Sequence, residues 1–148
     1  MMYPRDALLG RVAGRDGFYK LHRRPDAHPV PGLTIALIQG DLLFFNAAHV
    51  HARLHAIADA MPAGTRWLLL DAGAISQVDS TAAAMLEEVR ADLAARGTAF
   101  GLAEVHAEVR GLLDRAGLLA AIGPEMIFDD LDDALRAFEA MSLKGETL

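Results

Sequence analysis

Trp67-Leu68-Leu69-Leu70-Asp71-Ala72-Gly73-Ala74-Ile75-Ser76-Gln77-Val78-Asp79-Ser80-Thr81-Ala82-Ala83-Ala84-Met85 is the stretch whose reading decides the fold. It opens with a short apolar run, the pattern of a strand covered on both faces. A polar, glycine-containing loop follows. After Asp79-Ser80-Thr81 an amphipathic helix takes over, with Leu86, Val89 and Leu93 on one face. A strand that passes its chain to a helix through such a corner puts hydroxyls where several backbone N–H groups lack partners. The corner is the candidate functional centre, with Ser80 expected as the helix cap and Leu70 expected at the middle of the sheet.

Working outward on the C-terminal side, Arg96-Gly97-Thr98 ends that helix, Gly97 suiting the left-handed position past the last turn. Ala99–Ala103 is expected as a buried strand, His106–Ala116 as a helix, Met126–Phe128 as a brief strand and Leu131–Met141 as a last helix. The tail from Ser142 to Leu148 is expected to fray. On the N-terminal side, Asn46 is expected to cap a helix over Ala47–Met61. Leu33–Ile38 and Leu42–Phe45, separated by Gln39-Gly40-Asp41, are expected to pair as a hairpin. The alternation of strand and helix from Arg66 onward implies parallel strands with right-handed crossovers. The expected fold is therefore α/β: a mixed central β-sheet with helices mainly on one face.

Residues 1–32 look different. Ala7–Val12 reads as a short strand or an extended arm, and Phe18–Leu21 suggests another extended piece. Pro25, Pro29, Pro31 and Gly32 then exclude both helix and central strand. The organisation expected is a leader over 1–32, a domain over 33–141 and a flexible tail over 142–148.

At 148 residues the chain is most simply one domain. It has no cysteine, hence no disulfide framework or thiolate site, which fits a reducing compartment. No window approaches a membrane span. The net charge of −6 is uneven: Met1–Val30 carries six Lys and Arg against three Asp, leaving −9 on the remainder. An acidic body argues against nucleic acid as the main ligand. The basic leader suits either a solvated surface or anionic lipid headgroups.

Catalytic constellations are missing. None of Ser76, Ser80 and Ser142 lies in a Gly-x-Ser-x-Gly elbow, and no Gly-Lys-Ser/Thr phosphate loop occurs. His51 and His55 have the i, i+4 spacing of a metal pair, but no acidic partner stands between them as in the metalloprotease pattern. Asp129-Asp130 and Asp132-Asp133 fall at a helix start, where a solvated face explains them. No enzyme, cofactor or metal is expected. The functional reading of the corner is that Ser80 or Thr81 accepts a phosphoryl group at the positive end of the helix dipole, opposed by Asp71 and Asp79.

Over Leu8–Phe138 the chain resembles a STAS domain, the module shared by sulfate transporters and anti-sigma factor antagonists. Val78-Asp79-Ser80-Thr81-Ala82 is similar to the antagonists' Asp-Ser-Ser/Thr-Gly signature, with Ser80 at the phosphorylated position and Ala82 in place of the Gly. The leader, from Leu9-Gly10-Arg11-Val12 through Pro29-Val30-Pro31-Gly32-Leu33, resembles the segment after the last membrane span of bacterial SulP anion permeases. Gly40-Asp41-Leu42-Leu43-Phe44-Phe45-Asn46-Ala47 is similar to the permeases' Gly-Pro-Leu-Phe-Phe-Ala-Asn-Ala. The resemblance implies a regulatory domain on the cytoplasmic side of the inner membrane, belonging to a secondary anion transporter with sulfate as the commonest substrate. It further implies contact with the membrane domain, with protein partners or a nucleotide, and pairing within a dimeric transporter. Phe45, Asn46, Asp71 and Asp79 are the expected partner or ligand surface. The alternative is a freestanding anti-sigma factor antagonist controlled by serine phosphorylation.

Overall fold

The computed structural model of the chain describes residues 3–146. Its elements, in order, are β1 (Arg5–Val12), β2 (Tyr19–Lys20), β3 (Ala27–His28), β4 (Leu33–Gln39), α1 (Ala47–Ala60), β5 (Trp67–Asp71), α2 (Ser80–Ala95), β6 (Ala99–Ala103), α3 (Ala107–Arg115), α4 (Leu118–Ile122), β7 (Ile127–Phe128) and α5 (Leu131–Glu146). The sheet runs β2-β1-β4-β5-β6-β7, with β3 joined to β1 off this path. Strands β4 to β7 are mutually parallel, whereas β1 is antiparallel to β2, β3 and β4. The sheet is mixed, as expected.

β5 sits between β4 and β6, and Leu68, Leu69 and Leu70 are sealed from solvent. Alternation sends Leu68 and Leu70 to one face and Trp67 and Leu69 to the other. On the first face lies α1: Ile38, which alternates in step with Leu68 and Leu70, shares a small cavity with Val50 and Leu54. α2 packs against α1, α3 and α4 on that side. The opposite face takes α5, whose Phe138 ring meets Trp67 edge-on at 5.1 Å. Four helices thus cover one face and one covers the other.

Several local expectations change. Leu42–Phe45 is not the second strand of a hairpin. Only Leu42 makes a bridge, to Val78 in the parallel sense, and residues 44–46 form a turn into α1. Backbone links Leu42 N–H to Gln77 O at 3.0 Å and Asp79 N–H to Leu42 O at 3.1 Å fasten this segment to the loop after β5, so it has no bonds left for β4. Of the two readings of Ala7–Val12, short strand or extended arm, the strand holds, and it is longer than expected: eight residues, paired with β4 from Arg5 opposite Gln39 to Leu9 opposite Ile35. Gly10 is required there, since a Cβ would run into the His28 carbonyl oxygen and the Leu21 side chain. The segment around Pro29 and Pro31 remains irregular and straps over this end of the sheet.

A further helix, α4, follows Gly117 without having been expected. The last helix passes Met141 and continues to Glu146, where Arg66 donates to Ser142 Oγ at 2.5 Å; Thr147 and Leu148, also expected to fray, lie outside the described residues. Gly97 does adopt the left-handed conformation, φ +80°, past the end of α2.

Candidate functional site: the lip where α1 and α2 begin

Two connections meet at the carboxyl end of the sheet, one leading into α1 and the other into α2. Asp79 ties them together. Its Oδ1 accepts from Ala82 N–H at 2.9 Å, closing the first turn of α2, and its Oδ2 accepts from Phe44 N–H at 2.6 Å in the other connection. Asp41 works in the opposite direction. It sits ahead of α1 and accepts from Ser76 and Gln77 N–H, at 3.3 and 3.0 Å, in the loop ahead of α2. Each loop's carboxylate therefore satisfies backbone donors in the other loop.

The cap of α2 is Asp79, so Ser80, expected in that role, is instead the first helical residue. Ser80 is an exposed residue, as is Thr81. Asn46 stands at the cap position of α1, but its side chain does not cap. It turns back, Nδ2 donating to Asp41 O at 2.8 Å and Oδ1 accepting from Leu43 N–H at 3.0 Å. Asn46 is 3% exposed and holds the turn from inside. Phe45 points outward at 43% exposure, beside Phe44 at 71%, the two rings edge to face at 5.6 Å. Phe44 is a surface residue that the hairpin reading had hidden.

Ser80 and Thr81 border an open groove of about 570 Å³ between the first turns of α1 and α2, lined also by Ala47, Ala48, His51 and Glu88. His51 Nε2 lies 3.8 Å from Glu88 Oε2 across it. The first N–H groups of α2 have no intrahelical partner and give this end a partial positive charge. Glu88 and Asp79 set negative charge nearby, so a phosphoryl group on Ser80 would add to that charge, opposed by the two carboxylates, and bring three acceptor oxygens.

Asp71 is not part of this groove. It ends β5 at 9% exposure, and its Oδ1 accepts from Gly73 N–H at 3.0 Å. Burial raises its pKa above the ordinary value, and the Gly73 hydrogen bond only partly offsets that. Gly73 is hemmed in by carboxylates: a Cβ there would lie 2.7 Å from Glu104 Oε2 and 3.2 Å from Asp71 Oδ1. Glu104 has φ +60°, the one positive value at a non-glycine position among the described residues, and His106 Nε2 lies 2.7 Å from Gly73 O. No sequence pattern distinguishes Glu104, because a left-handed glutamate has no local signature. His51 and His55 stand with ring centroids 6.4 Å apart, His55 3.2 Å from Asp59 and His51 3.8 Å from Glu88.

The sheet order and the loop-to-helix lip define an α/β domain built on a mixed sheet. The STAS domain model matches residues 24–134, and the chain belongs to that family. The probable sulfate transporter of Mycobacterium tuberculosis is 35% identical over 136 residues, covering 92% of this chain and 24% of that protein. Probable sulfate transporter 4.2 of Arabidopsis thaliana is 25% identical, covering 90% of this chain and 21% of the relative. The chain thus spans about a quarter of the length of these relatives.

Among solved structures, the murine Solute Carrier 26 family member A9 anion transporter superposes with a TM-score of 0.83 at 20% identity, over 93% of this chain and 22% of the transporter. A sulfate transporter family protein of Wolinella succinogenes gives 0.69 at 25% identity, over 84% of this chain and 98% of that one. An anti-sigma factor antagonist of Mycobacterium paratuberculosis gives 0.61 at 22% identity, over 74% and 88%. These matches indicate no enzymatic family.

Proposed function

We propose that this chain is the regulatory and protein-contacting domain of a SulP-type anion permease, working on the cytoplasmic side of the inner membrane, with sulfate as the anion of the full-length protein. The observation that carries this reading is the likeness to a sulfate transporter at 35% identity over nearly the whole chain but only 24% of the relative. That ratio fits a domain appended to a much larger transporting part. No helix among the described residues is long and apolar enough to cross a membrane, so on this reading transport occurs elsewhere in the protein.

The lip is the proposed contact surface. Phe44 and Phe45 supply exposed aromatic area of the sort that anchors interfaces. Ser80 and Thr81 are the proposed phosphoacceptors beside it, and Asn46 and Asp79 hold the surface in shape. Asp71 acts beneath it, through the loop it supports. Pairing of two such domains within a dimeric transporter belongs to the same proposal.

The experiment is sulfate uptake by cells expressing the gene that encodes residues 1–148. A reading frame with membrane spans beside this domain, and uptake altered by Phe44→Ala with Phe45→Ala at unchanged membrane abundance, is the expected result. A frame beginning at Met1 with no membrane part would overturn it. A second reading, a freestanding anti-sigma factor antagonist, draws support from the exposed Ser80 one residue past the Asp79 cap. Intact-mass measurement on protein from its own cells tests it: phosphate on Ser80 that releases a bound kinase is expected, and unmodified protein in every growth state counts against it.

A further inference from the structure

A cavity of about 440 Å³ lies far from the lip, under the proline-rich strap. Leu8 and Thr34, from β1 and β4, form its floor, on the sheet face that carries α1. Ile57 and Met61 at the end of α1 form one wall, and Leu21 with Pro31 from the leader closes over it. Leu8 is 37% exposed although it points to the helix-covered face, because no side chain reaches across to fill the space. Ala56 and Ala60, one turn apart on α1, are exposed at the mouth of the cavity, where larger residues would narrow it. The volume falls in the range of small-molecule sites, which are apolar with a few placed polar groups. Water gains little in such a space.

The polar groups present define the ligand. Arg53 and Asp6 stand together at the rim in a two-point pair, Nε to Oδ2 at 2.9 Å and Nη2 to Oδ1 at 3.1 Å. Their charges cancel. An anionic ligand end would face the Asp6 carboxylate, and a cationic one the Arg53 guanidinium. Thr34 is half-buried and offers a hydroxyl from the floor. We propose that this cavity binds an uncharged aliphatic molecule of roughly ten to fifteen non-hydrogen atoms carrying one hydroxyl or carbonyl group. The proposal is independent of the function assigned to the lip.

Titration of the 15N-labelled chain with 1-decanol, followed by amide NMR, tests it. Saturable shifts centred on Leu8, Thr34, Ile57 and Met61 are expected. Decanoate and decylamine should bind at least about tenfold more weakly. The paired substitution Ala56→Leu with Ala60→Leu crowds the mouth and should abolish the shifts without lowering the melting temperature. Absence of shifts at saturating decanol overturns the site. So do shifts centred on Phe44 and Phe45, or undiminished binding by the crowded variant if it retains the wild-type melting temperature. Should the crowded variant melt early, Leu8→Phe takes its place with the same expectation. Equal affinity for decanoate overturns the uncharged class. Concentration-dependent dimers that decanol leaves intact, seen by sedimentation with the same residues shifted, would assign the cavity to a second copy and overturn the ligand.

Discussion

The Asp79 carboxylate lies between two helices' beginnings, 2.6 Å from the Phe44 amide nitrogen and 2.9 Å from that of Ala82. One side chain therefore fixes both the first turn of α2 and the aromatic turn that leads into α1. Asp79→Ala should cost about 1–2 kcal/mol, the combined loss of a cap and of a charge-assisted hydrogen bond. Asp79→Asn, which keeps an oxygen for Ala82, should cost less. Urea denaturation of the three proteins checks the order.

Ser80 is a different case. Because it is the first helical residue and not the cap, Ser80→Ala should change stability by less than about 0.5 kcal/mol. A loss near 1 kcal/mol, the amount expected of a cap, would mean the hydroxyl closes the helix in solution. The same denaturation experiment decides it.

Asp71 predicts a pH dependence. Its folded pKa lies above the ordinary 3.8, chiefly through burial, so folding takes up protons between 3.8 and the raised value. Stability contributed at this position therefore falls as pH rises through that window and stays low above it. Asp71→Asn should stabilise the domain at pH 7, with a gain that fades below the ordinary carboxylate range. Melting temperatures from pH 3 to pH 8, read as the difference between the two proteins, check this. A gain that grew toward low pH would have the wrong sign.

Leu70 and Gly10 test the sheet from its centre and its margin. Leu70 is 1% exposed, and Leu70→Asp would bury an unpaired carboxylate at a cost of several kcal/mol, enough to abolish cooperative melting. Gly10→Ala forces the His28 backbone aside, and a main-chain atom cannot yield as a side-chain tip can. It should lower the melting temperature and speed amide exchange in β3 and the strap first. Circular dichroism and hydrogen exchange read the two effects.

The parts of this fold visible in the sequence are those written in local pattern. The run Trp67–Asp71 is apolar because both its faces are covered, and the spacing of Val50, Leu54 and Ile57 on α1 matches the face that meets the sheet. The parts that were not visible depend on partners distant in sequence. β1 reads equally as a short strand or an arm until Leu9 is set opposite Ile35, twenty-six positions on. Leu42–Phe45 has the composition of a strand, yet Asp41 and Asn46 spend their side chains on the turn and on the loop before α2. Four apolar residues cannot declare which neighbour will use their amides. Within the site, the place of the corner was legible because helix starts are local, but the cap expected at Ser80 falls one residue earlier, on Asp79. Phe44 and Glu104 were not legible: one looked like half of a hairpin, and the other takes a backbone conformation that glutamate does not advertise.

The flanking strands of the sheet, Tyr19–Lys20 and Ile127–Phe128, are each only two residues long. Beyond them only short stretches of β1 and β6 lack a strand partner on that side, so the margins offer an incoming chain little continuous ladder to extend. Concentrated solutions of the domain should therefore resist fibril growth, and any self-association should proceed through side-chain surfaces instead of shared backbone.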